Sequence, residues 1–207
     1  MIATTPMPAI KPDPKQIKRF RTEAAFETWM RANHARASEV WIRIYKKDSG
    51  VATVTHRQGL DVALCWGWID AIRLSYDDES FLQRYTPRRP RSTWSQINRE
   101  HVARLTKAGR MTPHGRRQID AAKADGRWAA AYAPIAKTNK DTVPADLRAA
   151  IDASPRARKT FETLGKFNLF ALAFRTNNMR TPAGRSRKIE QLVKMLERGK
   201  TIVPEPR

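Results

Sequence analysis

From Thr22 onward the chain switches between two spacings of apolar residues, and each spacing predicts a different element. Phe26, Trp29 and Met30 recur at three- and four-residue intervals, which puts them on one face of a helix, and Thr22 stands before them as a cap. The polar stretch from Asn33 to Ser38 ends that helix. In EVWIRIYKK the interval falls to two: Val40, Ile42 and Ile44 alternate with Trp41, Arg43 and Tyr45, as in a strand, and Asp48-Ser49-Gly50 supplies a turn. Leu60, Ala63 and Leu64 restore the helical interval over 55–66. GWIDAIRLSYDDESFLQRYTP then predicts a hairpin, with strands over 67–76 and 80–86 and a turn at Asp77 to Glu79. Its pleat puts Trp68, Asp70, Ile72, Leu74 and Tyr76 on one face, so Asp70 shares an apolar surface and needs a partner, either Arg84 or a helix N-terminus.

Beyond this hairpin every signal is helical. Ser92 or Thr93 opens a helix, with Gln96 three residues after Thr93 as in a capping box, and Gly109 closes it. Thr112-Pro113, Ser154-Pro155 and Thr181-Pro182 each set a capping hydroxyl before a proline at the first helical position, where the missing N–H costs nothing. Residues 127–144 read as a looser connector, and Ile189, Leu192, Val193 and Leu196 mark a terminal amphipathic helix before Gly199. The first 20 residues carry four prolines and read as a flexible arm, and 201–207 read as a tail. The architecture expected is α+β: an N-terminal lobe of a small antiparallel sheet with helices over 21–90, followed by an all-helical lobe over 91–200.

Charge changes this picture more than composition does. The formal net charge is +20, and it is concentrated: residues 88–117 hold nine basic residues against Glu100 alone, and 175–200 hold eight against two acids. Such clustering favours an anionic partner: a small molecule, an acidic protein or a nucleic acid. No apolar run is long enough to span a bilayer, and MIATTPMPAIKPDPKQIKRF lacks the apolar centre of a secretory signal, so a cytoplasmic location is expected. Cys65, the single cysteine, lies among Ala63, Leu64 and Trp66 and reads as a buried thiol with no redox role. The four histidines have no metal-ligand spacing, and no phosphate loop, dinucleotide fingerprint or nucleophile elbow is present, so neither a metal nor a cofactor is expected.

The segment TPRRPRSTWSQINREH, 86–101, carries the densest candidate chemistry. Three readings stay open for it. Arg88, Arg89 and Arg91 form a solvated linker; or they combine with helical N–H groups and Trp94 as an apolar wall into an anion pocket that includes Asn98; or Trp94 stacks a base while the arginines neutralise phosphates. Asp70 and Arg84 would hold the sheet side of the pocket. A carboxylate pair of Asp61 and Asp70 is the basis of a third class, an enzyme of hydrolase type using Asp70, although capping or ion pairing accounts for the same residues. No catalytic residue is assigned. Trp66 and Trp68 flank Gly67 and read as core, with Trp66 ending the preceding helix.

CWGWID, QRYTPRRPRSTWSQIN, AGRMTPHG, AAKADGRWAAAY, VPADLRAAIDASPRA and TPAGRSRKIEQLVKML, in that order, resemble the YdeI or OmpD-associated family, also called bacteriocin-protection proteins. The resemblance runs from Arg21 to Lys200, with an OmdA-like segment over 144–200. Gln58, Val62 and Ala71 depart from the family's pattern, so no acid–base role is carried over at those positions. The resemblance implies an association with tolerance of bacteriocins and antimicrobial stress, with no cofactor. The expected function is a non-enzymatic binder of an anionic small molecule or partner at the lobe junction, with nucleic-acid binding through 88–117 as the alternative.

Overall fold

The computed structural model describes residues 11–204. Contacts divide the chain into two compact units: Met1–Trp94 with Asn98–Ala131, and Ser95–Ile97 with Tyr132–Arg207.

The first unit is α+β. Its sheet has the order β1-β2-β4-β3, formed by β1 (Ile17–Lys18), β2 (Val40–Tyr45), β3 (Trp68–Ser75) and β4 (Ser80–Pro87). β2 pairs antiparallel with β4, matching Ile42 to Gln83, and β3 pairs antiparallel with β4 around the turn that Asp77 and Ser80 hold. The sheet is nevertheless mixed, because β1 lies parallel to β2. This strand falls in the stretch expected to be a flexible arm: Asp13 caps a 3₁₀ turn over Pro14–Gln16 and leads the chain into β1. Residues 1–10 of that arm, and 205–207 of the tail, lie outside the described residues.

Helix α1 (Glu23–Asn33) starts at Thr22, whose hydroxyl accepts the Ala25 N–H, and α2 (His56–Cys65) starts in a capping box of Thr55 and Gln58. α2 is the central rod of the unit, buried without interruption from Gly59 to Cys65. One side joins Phe26, Met30, Val40, Ile42, Ile44, Trp68 and Tyr85 in the core against the sheet. The other joins Val102 and Leu105 of α3 (Gln96–Lys107), Met111 of the following loop, and Ile119 and Ala122 of α4 (Pro113–Ala124). A helix buried on every side belongs inside a domain, and two cores meet on this one.

α3 begins at Gln96 and not at Ser92 or Thr93. The extended backbone continues through Ser95, which bridges to Tyr132, and the Gln96 N–H donates to the Tyr132 carbonyl at 2.9 Å. A main-chain partner far along the chain thus takes the first helical N–H that a local hydroxyl was expected to satisfy.

The second unit is helical: α5 (Ala145–Asp152), α6 (Pro155–Glu162), α7 (Lys166–Asn177) and α8 (Pro182–Glu197). They enclose Leu147, Ile151, Phe161, Leu172, Leu192 and Leu196. All three hydroxyl–proline caps form as expected, with Thr112, Ser154 and Thr181 accepting the N–H of Gly115, Ala157 and Gly184. Buried Asn168 ties down the end of the chain, accepting the N–H groups of Ile202 and Val203 and donating to the Val203 carbonyl. No helix among the described residues is long and apolar enough to cross a membrane.

Candidate functional site

The residues singled out from the sequence do not form one pocket. Asp70 pairs with Tyr85 in the β3–β4 register, so Arg84, next to Tyr85, lies on the opposite face of the sheet. Arg84 instead binds Glu39 and covers Trp41, while the partner of Asp70 is His56 in the first turn of α2, at 3.2 Å. Arg88 is not a surface cation: it is 5% exposed, its Nη1 donates to the Thr93 carbonyl, and its guanidinium lies 3.5 Å from the Trp94 ring centre. Trp94 is 2% exposed and packs edge-on against Trp128. A ring so enclosed neither walls an open pocket nor stacks on a base. Arg89 and Arg91 are exposed and Asn98 is half-buried.

Asp61 and Asp70 are not a carboxylate pair either, because each has its own basic partners. Asp61, buried on α2, accepts from His101 Nδ1 and Arg104 Nη2 of α3, all at 2.6 Å. Burial alone would raise its pKa, but the hydrogen bonds and charges of Arg104 and His101 outweigh that and hold the carboxyl below its ordinary range. A group with a lowered folded-state pKa contributes stability above its ordinary value, about 3.9, and that stability is lost as the pH falls through the folded value. Asp61→Asn is expected to cost about 2 kcal/mol at neutral pH. In thermal melts the gap between variant and wild type should close below about pH 4; a gap of the same size at every pH would remove the ion pair from the account. Burial also drives the Cys65 thiol up to about 12, which suits an inert core thiol.

The structure gathers a different set of residues in the first unit. A cleft of about 320 Å³ is lined by His34, Ala35, Trp66, Gly67, Trp68, Pro87, Arg88, His114, Arg117 and Gln118. Four chain ends build it. The end of α1 supplies His34, whose backbone N–H and Nδ1 both face the Met30 carbonyl at about 3 Å; a carbonyl only accepts, so Nδ1 carries the proton. The turn from α2 to β3 supplies Trp66, Gly67 and Trp68. Gly67 has φ +77°, and a Cβ there would meet the His114 carbonyl at 3.0 Å and Gln118 Cγ at 3.1 Å, so both the turn and the close approach of α4 require glycine. The end of β4 supplies Pro87 and Arg88, whose N–H donates to the Gly67 carbonyl. The first turns of α4 supply His114, Arg117 and Gln118.

Three of these rings form one wall. His34 and His114 lie 4.0 Å apart between ring centres, His34 and Trp66 4.7 Å, and Trp66 stacks on His114 at 5.7 Å with 19° between planes. Trp66 is oriented by its Nε1–H, which donates to Glu27, and Trp68 donates to the His34 carbonyl. Arg117 donates to His114 Nδ1 at 2.6 Å, so neutral His114 carries its proton on Nε2. Burial first, then the charges of His34 and Arg117, hold the His114 pKa below the usual imidazole range. Of the expected site residues only Arg88 lines this cleft. The signals the sequence offered were weak: His34 and His114 stand 80 positions apart, and the Trp66-Gly67-Trp68 step reads as core. Among the described residues no three His, Cys, Asp or Glu side chains gather into a set that could hold a metal ion.

The fold therefore defines an α+β unit carrying an aromatic, basic cleft, joined in sequence to a helical unit of four helices. Residues 142–199 of the helical unit match the OmdA family model, described as bacteriocin-protection, YdeI or OmpD-associated. Residues 18–118, which hold the whole cleft, match a separate family model, a domain of unknown function designated DUF8412. The resemblance to the YdeI or OmpD-associated family thus holds over the C-terminal helices. Comparison with curated proteins and with solved structures gives no match.

Proposed function

We propose that the protein binds a small anion in the His34–Trp66–His114–Arg117 cleft, acting as a binder and not an enzyme, in the bacteriocin-tolerance setting that the OmdA description names. The observation that carries this reading is the lining itself: two arginines, two histidines, a glutamine and two tryptophans, with no carboxylate among them. Pockets for small ligands combine apolar walls with a few placed polar groups, and this one has both at a volume suited to a small ligand. Arg88 spends hydrogen bonds on Ser92 and Thr93, which leaves exposed Arg117 as the cation able to turn toward an anion. The basic segment 88–117 would raise the local concentration of anions around it.

All six tryptophans lie in the first unit, so intrinsic fluorescence reports on the cleft's own unit. Titration with orthophosphate, acetate, phenyl phosphate and benzoate is expected to give saturable quenching by at least one of them. Arg117→Gln should weaken it about tenfold or more, a loss of roughly 1.4 kcal/mol. If wild type and variant respond alike, or if only DNA or RNA binds, with an affinity that collapses as salt rises, the small-anion reading is wrong and polyanion binding by the basic surface replaces it.

A further inference from the structure

We propose that the occupant of this cleft is a small aromatic carboxylate and that it enters together with one proton, which His114 takes up. The inference rests on the anion-binding reading above and adds the ligand's class and its pH control.

The class follows from the wall and the cation. His34, Trp66 and His114 offer three flat rings within 6 Å of one another, two of them nearly parallel. Flat surfaces of this kind favour a flat guest, because ring faces and edges gain contacts that a puckered molecule cannot match. Arg117 presents a planar fork of N–H donors whose natural complement is a planar carboxylate bound through both oxygens.

The proton follows from what Arg117 does when the cleft is empty. Its Nη2 is spent on His114 Nδ1, and that bond exists only while His114 is neutral. When a carboxylate draws Arg117 away, Nδ1 is left without its donor in a partly buried site beside a negative charge, and both changes favour a proton there. The N–H bond forms at Nδ1 with a proton from solvent, and the imidazolium then donates from both nitrogens while Arg117 serves the carboxylate. The charged and titratable groups of the empty cleft oppose protonation of His114: His34 from the end of α1, Arg88 from the end of β4, Arg117 from its own helix, and the N-terminal dipole of α4, in whose first turn it sits. No carboxylate lines the cleft, and Glu27, which accepts the Trp66 Nε1–H, is also paired with Arg110. His34 and His114 lie 4.0 Å apart between ring centres, so a positive charge on one repels a positive charge on the other.

The test is calorimetric titration of the full chain with benzoate, cyclohexanecarboxylate and orthophosphate at about pH 5.5 and about pH 8, across the range in which histidine changes charge, in two buffers of different ionisation enthalpy. Benzoate is expected to bind at least about tenfold more tightly at the lower pH, with close to one proton taken up per site. His114→Gln should bind benzoate with equal affinity at both pH values, whereas His34→Gln should keep the pH dependence. Equal benzoate affinity and no proton uptake in the wild type overturn the coupling. Cyclohexanecarboxylate or orthophosphate binding as tightly as benzoate overturns the aromatic class and leaves the anion site standing. No binding of any probe at either pH overturns both this inference and the reading beneath it.

Discussion

Replacing Trp94 by alanine is expected to lower stability by about 4 kcal/mol and to act through packing, not through loss of a ligand contact. The indole is 2% exposed, edge-on to Trp128, with the Arg88 guanidinium laid on its face. Alanine would leave a large cavity beside a buried cation that has lost the ring it rests on. Phenylalanine is the informative control, because the Trp94 Nε1–H is buried without a hydrogen-bond partner. Trp94→Phe therefore removes an unsatisfied donor together with some volume and should cost only about 1 kcal/mol. Urea unfolding of both variants measures the difference. A Trp94→Ala midpoint close to that of wild type would mean that the ring is not a core element, and the surface roles imagined for it from the sequence would return.

Gly115→Val is expected to cost at least about 3 kcal/mol and to weaken anion binding with it. A Cβ at this position would stand 2.4 Å from the Cys65 carbonyl oxygen, 2.7 Å from that of Leu64 and 2.7 Å from Met111 Cε. Two of these are main-chain atoms at the end of α2 and cannot rotate aside. The gain in helix propensity on leaving glycine, less than about 1 kcal/mol, is too small to compensate. α4 must then lift from α2, which breaks the bond from the Thr112 hydroxyl to the Cys65 carbonyl at 2.6 Å and displaces His114 and Arg117 from the cleft. Circular dichroism melts and benzoate titration of the same sample read both effects. An unchanged melting temperature would show that the two helices are not held by this close approach.

Features set by neighbours in the sequence were legible, and features set by partners far along the chain were not. The alternation in Val40 to Tyr45 and the three hydroxyl–proline steps depend on adjacent residues, and each forms the expected strand or cap. The start of α3 depends on Tyr132, more than thirty positions away, so Ser92 and Thr93 were misleading. Arg88 illustrates the same limit in charge: a run of arginines reads as surface, yet this one is buried with Trp94, while Arg89 beside it is exposed. The cleft was the least legible part, because it is made where the end of one helix, a tight turn, a strand end and the start of another helix converge.

That convergence has a kinetic consequence. Residues 34, 66–68, 87–88 and 114–118 reach one another only after long stretches of chain have closed, and contacts of high sequence separation form slowly. A ligand that needs all four segments has nothing to grip in an early, locally helical chain. Its stabilisation should therefore appear almost wholly as slower unfolding, with the rate of folding unchanged. In a cell, such a protein would be protected against degradation in proportion to the time its cleft is filled, so its abundance would follow its ligand without any change in synthesis.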